Sequence, residues 1–394
     1  MRILFLTARL PFPPTRGDRL RSYHFLRVLS REHQITLLSF IAHESESANL
    51  AQLRPFCAEV HLIHRAPWQA TISTGLNSWR PLPLQSLYYG SSVMQQAVNR
   101  LLKRHQFDVI YVHLFRMAQY VATRQRPYRI LDLTDAISQE VTRSLPYLPP
   151  IWRVIYRLEL PRIQRYEREI SRQFNQTWLI SAADRQAIFA DNPPSNIQIV
   201  PNGVDIDRYR PAARGPVSPV LAFVGAMSVF HNVDAAEFLV YEILPLVRKE
   251  ITGASVNIIG DNPSPRVQQL AAVPGVKVTG HVADLNAALN QSAVFVAPLR
   301  FAAGIQNKVL EAMAAGVPVV TSSYVNNGLE GEDGRHLLVA DDAVSAAAAV
   351  IKLLNDGELR ASLSQAGREF VTQRYRWEEL LDRMQTIEKQ IEGK

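Results

Sequence analysis

The run Gly304-Ile305-Gln306-Asn307-Lys308-Val309-Leu310-Glu311-Ala312-Met313-Ala314-Ala315-Gly316-Val317-Pro318-Val319-Val320 concentrates more chemistry than any other part of the chain. Its pattern predicts a glycine turn, an apolar helix with one carboxylate, and a short β-branched strand after Gly316. A turn that opens a helix leaves backbone N–H groups unpaired at the positive end of the helix dipole. Gly304, Ile305, Gln306 and Asn307 would supply them to an anion. Lys308 adds a cation about one turn into the helix, and Glu311 lies on the same face three residues on. An isolated carboxylate among Val309, Leu310, Ala312 and Met313 is costly to bury unless something hydrogen-bonds to it, as ribose hydroxyls would. Together these features suit a nucleoside diphosphate. An ordinary crossover with a stray ion pair has the same pattern.

Other single residues carry weaker signals. His113 follows the apolar run Val109–Val112, at the carboxyl edge of an expected parallel strand, where open α/β sheets bind ligands. It is read as a catalytic contact to a bound ligand, or as a histidine satisfied by a backbone carbonyl. Gly17 either lets backbone approach a diphosphate or an acceptor, or turns the chain after Pro13-Pro14. Arg16, Arg19 and Arg21 are suited to acceptor phosphate, or form a solvated helix face. Arg300 is a second counter-charge for a diphosphate, and Asn232 a further candidate beside it. Asp132 and Asp135 are acceptor-side candidates or caps of the following helix. No His-x-x-x-His or Asp-x-Asp pair stands at a strand end, so no metal site is expected.

These residues need elements to hold them. Arg2–Thr7 reads as a strand, followed by a proline-rich loop, a helix near 19–32 and the strand Ile35–Phe40. The plan restarts at the strand Val220–Gly225, with His231-Asn232 in a loop, a helix near 234–249 and the strand Ser255–Gly260. Two such openings, each with a glycine after the first strand, predict two doubly wound parallel-sheet domains. A long helix over 151–174 is expected to break or kink at Pro161. The turn Val200-Pro201-Asn202-Gly203-Val204-Asp205 marks the boundary. The expected domains are 1–203, with a returning helix over 376–394, and 204–375.

A chain of 394 residues exceeds a single core. Cys57 is the only cysteine, so neither a disulfide framework nor a thiolate metal cage is available. No apolar run approaches the ~18 residues that cross a bilayer, and Ile3 to Leu6 is too short for a signal-peptide core; a cytoplasmic protein is expected. Residues 1–200 hold 25 Lys+Arg against 14 Asp+Glu, and residues 201–394 hold 18 against 22, so the first half should meet something anionic. Its basic residues are all Arg except Lys103, which favours phosphate or carboxylate partners. Peripheral contact with an anionic membrane, on its inner face, follows from Trp68, Trp79 and Trp152 interleaved with Arg. No nucleic-acid module accompanies the charge, and nucleic acid is not an expected partner.

In order along the chain, these pieces resemble the retaining glycosyltransferases of family 4. The resemblance rests on the Arg2–Thr7 strand with Gly17, His113, and Leu179-Ile180-Ser181 with Asp184-Arg185. It continues through the Pro-Asn-Gly-Val-Asp turn, Phe223-Val224-Gly225, Ile259-Gly260 and Gly304 through Val320. Asp132-Leu133-Thr134-Asp135, Tyr166-Glu167-Arg168 and His231-Asn232-Val233-Asp234-Ala235 narrow it toward bacterial sugar transferases of exopolysaccharide synthesis. The resemblance implies the GT-B fold, two Rossmann-like domains facing a cleft. It implies transfer of a hexose from a nucleoside-diphosphate sugar such as a UDP-sugar to a glycan, lipid-linked or small-molecule acceptor. Donor contacts then fall on Gly17, Gly225, Asn232, Arg300, Gly304 through Lys308, and Glu311; acceptor contacts fall on Arg16, Arg19 and Asp135. No metal or other cofactor is implied. Where many members carry a sugar-contacting Glu, this chain has Ala303; where many carry an Arg and a Lys after the second-domain Val-Gly, it has Ala226 through Asn232. Arg300 and Lys308 are the charges left to grip a diphosphate. A nucleotide-sugar epimerase of the same fold and a non-catalytic sugar-nucleotide-binding partner are the alternatives.

Overall fold

A computed structural model of the chain describes residues 1–14, 17–212, 218–301 and 305–393. It divides into two compact units, Met1–Pro201 with Trp377–Lys394, and Asn202–Arg376.

The first unit is built on strands β1 (Arg2–Thr7), β2 (Gln34–Ile41), β3 (Glu59–His64), β4 (Val109–His113), β5 (Tyr128–Thr134), β6 (Gln176–Leu179) and β7 (Ile197–Ile199). All pair in parallel, in the order β3-β2-β1-β4-β5-β6-β7. β4 is buried along its whole length, as its continuous apolar run requires when helices cover both faces of a sheet. The second unit has β8 (Val220–Val224), β9 (Ser255–Ile259), β10 (Val276–Gly280), β11 (Val294–Ala297), β12 (Val319–Thr321) and β13 (Leu338–Val339), also parallel, ordered β10-β9-β8-β11-β12-β13. In each sheet the strand order reverses once, between β1 and β4 and between β8 and β11. Helices leave in opposite directions at such a point, and the carboxyl ends of the two strands stay uncovered.

Six helices matter below: α1 (Gly17–Leu29), α2 (Pro67–Asn77), α3 (Pro150–Ser171), α4 (Phe230–Phe238), α5 (Asn307–Ala314) and α6 (Glu379–Glu392). Three differ from the sequence expectation. α3 runs through Pro161 as one helix, although the proline removes a backbone donor. His231 and Asn232 lie in the first turn of α4 rather than in a loop. Lys308 is the second residue of α5, closer to the helix start than expected. α6 belongs to the first unit, where Trp377 stacks on His24 at 4.7 Å and Leu380, Met384 and Ile387 join the core around Phe5, Phe25 and Trp178.

Gly260, at the end of β9, has φ +146°, and a Cβ built there would lie 1.7 Å from the carbonyl oxygen of Gly225. The closeness of these two backbones sets the loop after β8. Gly260→Ala should destabilise the protein by roughly 2 kcal/mol or more, measured as a lower urea midpoint at unchanged slope. A midpoint equal to wild type would show that the close approach is not required.

Candidate functional site

At the second sheet's reversal point, Gly225 directly follows β8. A Cβ there would sit 2.8 Å from Cγ of Asn232, so glycine makes room for that amide against the backbone. Asn232 is buried; its Nδ2 donates to the Ala226 carbonyl at 3.1 Å, and its Oδ1 accepts from the Lys308 ammonium. Lys308 also lies 5.2 Å from the centroid of the Phe223 ring. Asn307, the first residue of α5, is tied to the Pro-Asn-Gly turn by a 3.0 Å bond from Asn202 Nδ2 to its Oδ1. One side-chain amide and one aromatic ring thus hold the ammonium at the start of a helix, and among the described residues no carboxylate forms an ion pair with it.

Burial dominates the electrostatics of this cluster. Desolvation lowers the Lys308 ammonium to about 7, partly opposed by Glu311. Desolvation likewise raises Glu311 to about 7, against hydrogen bonding from Tyr209 and the charges of Arg208 and Lys308. His231 is pushed down to about 3 by burial and then by Lys308, so its imidazole adds no competing cation. An incoming phosphate dianion would restore the charge that burial takes from Lys308.

The remaining donor-side expectations fall out unevenly. Arg300 does not stand as an open counter-charge: Asp234 clamps its guanidinium through two hydrogen bonds, one of 2.9 Å from Nε. Ile305 is buried, and Gln306 precedes α5 without a side-chain cap. Gly304 and Ala303 lie outside the described residues.

In the first unit, His113 ends β4 as expected, but it is buried rather than open to a ligand. Its Nε2 lies 3.0 Å from the Asp18 carbonyl, which can only accept, so Nε2 carries the hydrogen; Nδ1 lies 3.4 Å from Asp132 Oδ2. Asp132 is the hub. Fully buried Arg21 donates to it from Nε at 2.6 Å and from Nη2 at 3.0 Å, and the Tyr111 hydroxyl donates as well. Burial would raise the Asp132 carboxyl, but Arg21 and His113 outweigh it and hold the group below the usual carboxylate range. The histidine is therefore part of an internal network, and Arg21 is not a solvated arginine. Asp132 and Asp135 do not cap the helix at Ile137–Ser144, because Ala136 occupies the cap and Asp184 accepts from its N–H at 3.0 Å. Asp135 is half-buried; its Oδ1 is buried without a hydrogen bond, and burial, then Asp184 and Glu140, raise its carboxyl well above normal. Arg19 pairs with Glu46 at 3.2 Å. A Cβ at Gly17, the first residue of α1, would meet nothing within 4 Å, so the backbone there stays approachable. Arg16 lies outside the described residues. Among the described residues no three His, Cys, Asp or Glu are placed to hold a metal ion.

Residues 218–356, which contain this cluster, match the family of glycosyl transferases group 1. That stretch is similar to group 1 glycosyl transferases. A GDP-mannose-dependent alpha-(1-6)-phosphatidylinositol monomannoside mannosyltransferase of Mycobacterium tuberculosis is 32% identical over 219 residues, 48% of this chain and 55% of that protein. The capsular polysaccharide biosynthesis glycosyltransferase CapM of Staphylococcus aureus is 33% identical over 128 residues, 31% of this chain and 33% of the relative. The chain thus spans about half the length or less of the curated relatives it matches. The two parallel-sheet units have the GT-B fold. The sucrose-phosphate synthase of Thermosynechococcus elongatus superimposes with TM-score 0.74 at 14% identity, covering 100% of this chain and 99% of that one. HepE of Anabaena, solved with UDP and glucose, gives TM-score 0.68 at 14% identity, over 98% and 99%.

Sequence reasoning did not find Tyr209, Phe223, His231 or the Arg21–Asp132–Tyr111 hub. Tyr209 and Phe223 are apolar-looking residues whose roles come only from what packs on them. An invariant spacing could not have announced Arg21, whose partner is 111 residues away. Arg21→Met should cost about 3–5 kcal/mol, because it leaves the Asp132 charge buried without its counter-ion; equilibrium urea unfolding reads this, and a loss under 1 kcal/mol would count against the hub. Glu311 predicts a pH effect. Its folded value lies above its unfolded one, so its contribution is present below about 4.3 and is lost as pH rises toward about 7. Wild type should therefore lose stability from about pH 5 to 7 relative to Glu311→Gln. Parallel pH profiles for the two proteins would contradict this.

Proposed function

We propose that this chain is a retaining glycosyltransferase that moves a hexose from a nucleoside-diphosphate sugar onto an acceptor held by the basic first domain. The proposed setting is bacterial cell-surface or exopolysaccharide synthesis on the cytoplasmic side of the membrane. The observation that carries it is the Lys308 ammonium, half-buried, fixed by Asn232 and Phe223 at the start of α5 and without a carboxylate ion pair among the described residues. A cation held this way is destabilised until a dianion arrives, and the α5 amide groups face the same direction. Glu311, three residues on and hydrogen-bonded by Tyr209, would accept hydrogen bonds from the two ribose hydroxyls.

In this reading the bond between the sugar's anomeric carbon and the diphosphate oxygen breaks as Lys308 and the helix start take up the charge. The acceptor oxygen attacks the same face, and its proton passes to the departing phosphate oxygen. Transfer then needs no metal, because protein charge does what a divalent ion would do. The relatives named for GDP-mannose and the neighbour solved with UDP support a purine or pyrimidine diphosphate donor, and the base is left to measurement.

A thermal-shift screen of GDP, UDP, ADP, TDP and CMP tests this. One diphosphate at about a hundred times its Kd should add about 2.7 kcal/mol, or roughly 2–4 °C. Lys308→Ala and Glu311→Ala should each remove most of that shift. Stabilisation that survives both substitutions, or none with any nucleotide, would overturn the site. Binding without release of free diphosphate from the matching sugar nucleotide, across an acceptor panel, would leave a binding protein in place of an enzyme.

A further inference from the structure

A second site lies within the first domain. A cavity of about 760 Å³ opens beside α2 and α3, a volume suited to a sizeable organic ligand. Its walls are mostly apolar: Phe40 and Ile41 at the end of β2, Tyr88 and Tyr89, and Ile155 and Tyr156 of α3. Four arginines and two glutamates also line it. Arg19 is matched to Glu46 at 3.2 Å, Arg9 to Asp18 at 3.1 Å, and Glu159 accepts from the Leu84 amide at 2.7 Å and from Arg162 at 3.0 Å.

Two cations remain. Arg65 donates to the Gly90 carbonyl, and its Nε is buried without a hydrogen bond. Burial lowers its pKa, against the neighbouring Tyr120, Tyr88 and Tyr89. Arg116 lies 5.4 Å over the Tyr89 ring, in the field of Glu140, and its Nε too is buried without a bond. Neither forms a carboxylate ion pair among the described residues. Unmatched guanidinium groups on an apolar wall favour an anion that brings two or more acceptor oxygens.

The helices that wall the cavity carry a second feature. Thr71, Thr74, Gly75 and Ser78 face it, whereas Trp68, Ile72, Leu76 and Trp79, on another side of the same segment, are 64%, 55%, 73% and 76% exposed. α3 repeats this: Trp152, Ile155 and Tyr156 face the cavity, while Ile151, Val154 and Leu158 are 69%, 57% and 72% exposed. Apolar residues at helical spacing on a solvent face, with Arg80 and Arg157 exposed beside them, suit an interface with lipid more than bulk water. A soluble oligosaccharide would use none of this apolar surface.

We propose that this cavity binds a lipid phosphate, its phosphate or diphosphate head against Arg65 and Arg116, its chain along α2 and α3 toward the bilayer that the two exposed stripes touch. As the sugar acceptor, this lipid rests on the transferase reading; as a ligand, it does not. The probe is farnesyl diphosphate, titrated into the intact chain by calorimetry beside farnesol and inorganic diphosphate. Gly75→Trp fills the cavity, and because a Cβ at Gly75 meets nothing within 4 Å the fold should be kept, with an unchanged melting temperature. Arg65→Gln with Arg116→Gln removes the cations.

Farnesyl diphosphate should bind about tenfold or more tighter than either fragment, and both variants should lose about tenfold or more. Equal binding of inorganic diphosphate alone, or farnesyl diphosphate binding that Gly75→Trp leaves intact, overturns the proposal. Flotation on phosphatidylglycerol–phosphatidylcholine vesicles that ignores both variants, without farnesyl diphosphate binding, also overturns it, since the stripes would then hold a bilayer without admitting a lipid. Nucleotide stabilisation of Gly75→Trp separates the two readings. If nucleotide binds and farnesyl diphosphate does not, the lipid site alone fails. If farnesyl diphosphate binds and no nucleotide does, the transferase reading alone fails.

Discussion

A parallel strand can rejoin its own sheet only through a crossover, and each crossover covers part of a face. In both sheets of this chain the crossovers run one way on one side of the central strand and the other way on its far side. Among the described residues, the uncovered carboxyl ends near the middle are then those of β1 and β4, and of β8 and β11. Every residue of chemical interest near these sheets sits where it does because of that topology. Gly17 and His113 follow β1 and end β4; Gly225, Asn232 and Arg300 follow β8 and β11. The reversal point concentrates helix starts and loops in one place, and side chains inherit that placement.

Desolvation decides what those side chains then do. At Asp132 it is outweighed, because Arg21, Tyr111 and His113 surround the carboxylate with donors. At Lys308 and Glu311 it wins, and both groups are shifted toward neutrality. The contrast separates a structural charge from a receptive one. The first is satisfied by the protein and joins α1, β4 and β5; the second is held in a state that a ligand would improve.

Much of the architecture was legible in the sequence, for physical reasons that can be named. Continuous apolar strand runs such as Val109–Val112 and Val220–Val224 occur where both sheet faces are buried, and glycines after β1 and β8 mark the turns beyond. Lys308 and Glu311 were legible because charge inside an apolar helix is costly without a purpose. Illegible features depend on distance. Nothing near Arg300 in sequence announces Asp234, 66 residues earlier, which claims its guanidinium. Nothing near His113 announces that Asp18 and Asp132 enclose it. His231-Asn232 read as loop because β-branched and polar neighbours hide a helix start whose reason is the amide packed on Gly225. The cavity beside α2 was signalled only by its outward tryptophans, since the faces of α2 and α3 that line it are ordinary in composition.

α6 has a consequence for how the molecule is made. Its Leu380, Met384 and Ile387 complete a core that begins with Ile3 and Phe5, yet some 175 residues of another unit are synthesised between them. On the ribosome, the first sheet can pair its strands early, but the surface around Phe25 and Trp178 stays wet until α6 emerges. A nascent chain therefore carries an open apolar patch throughout synthesis of the second unit. Chaperone contact during translation should centre on that patch, and release from it should coincide with the arrival of Trp377.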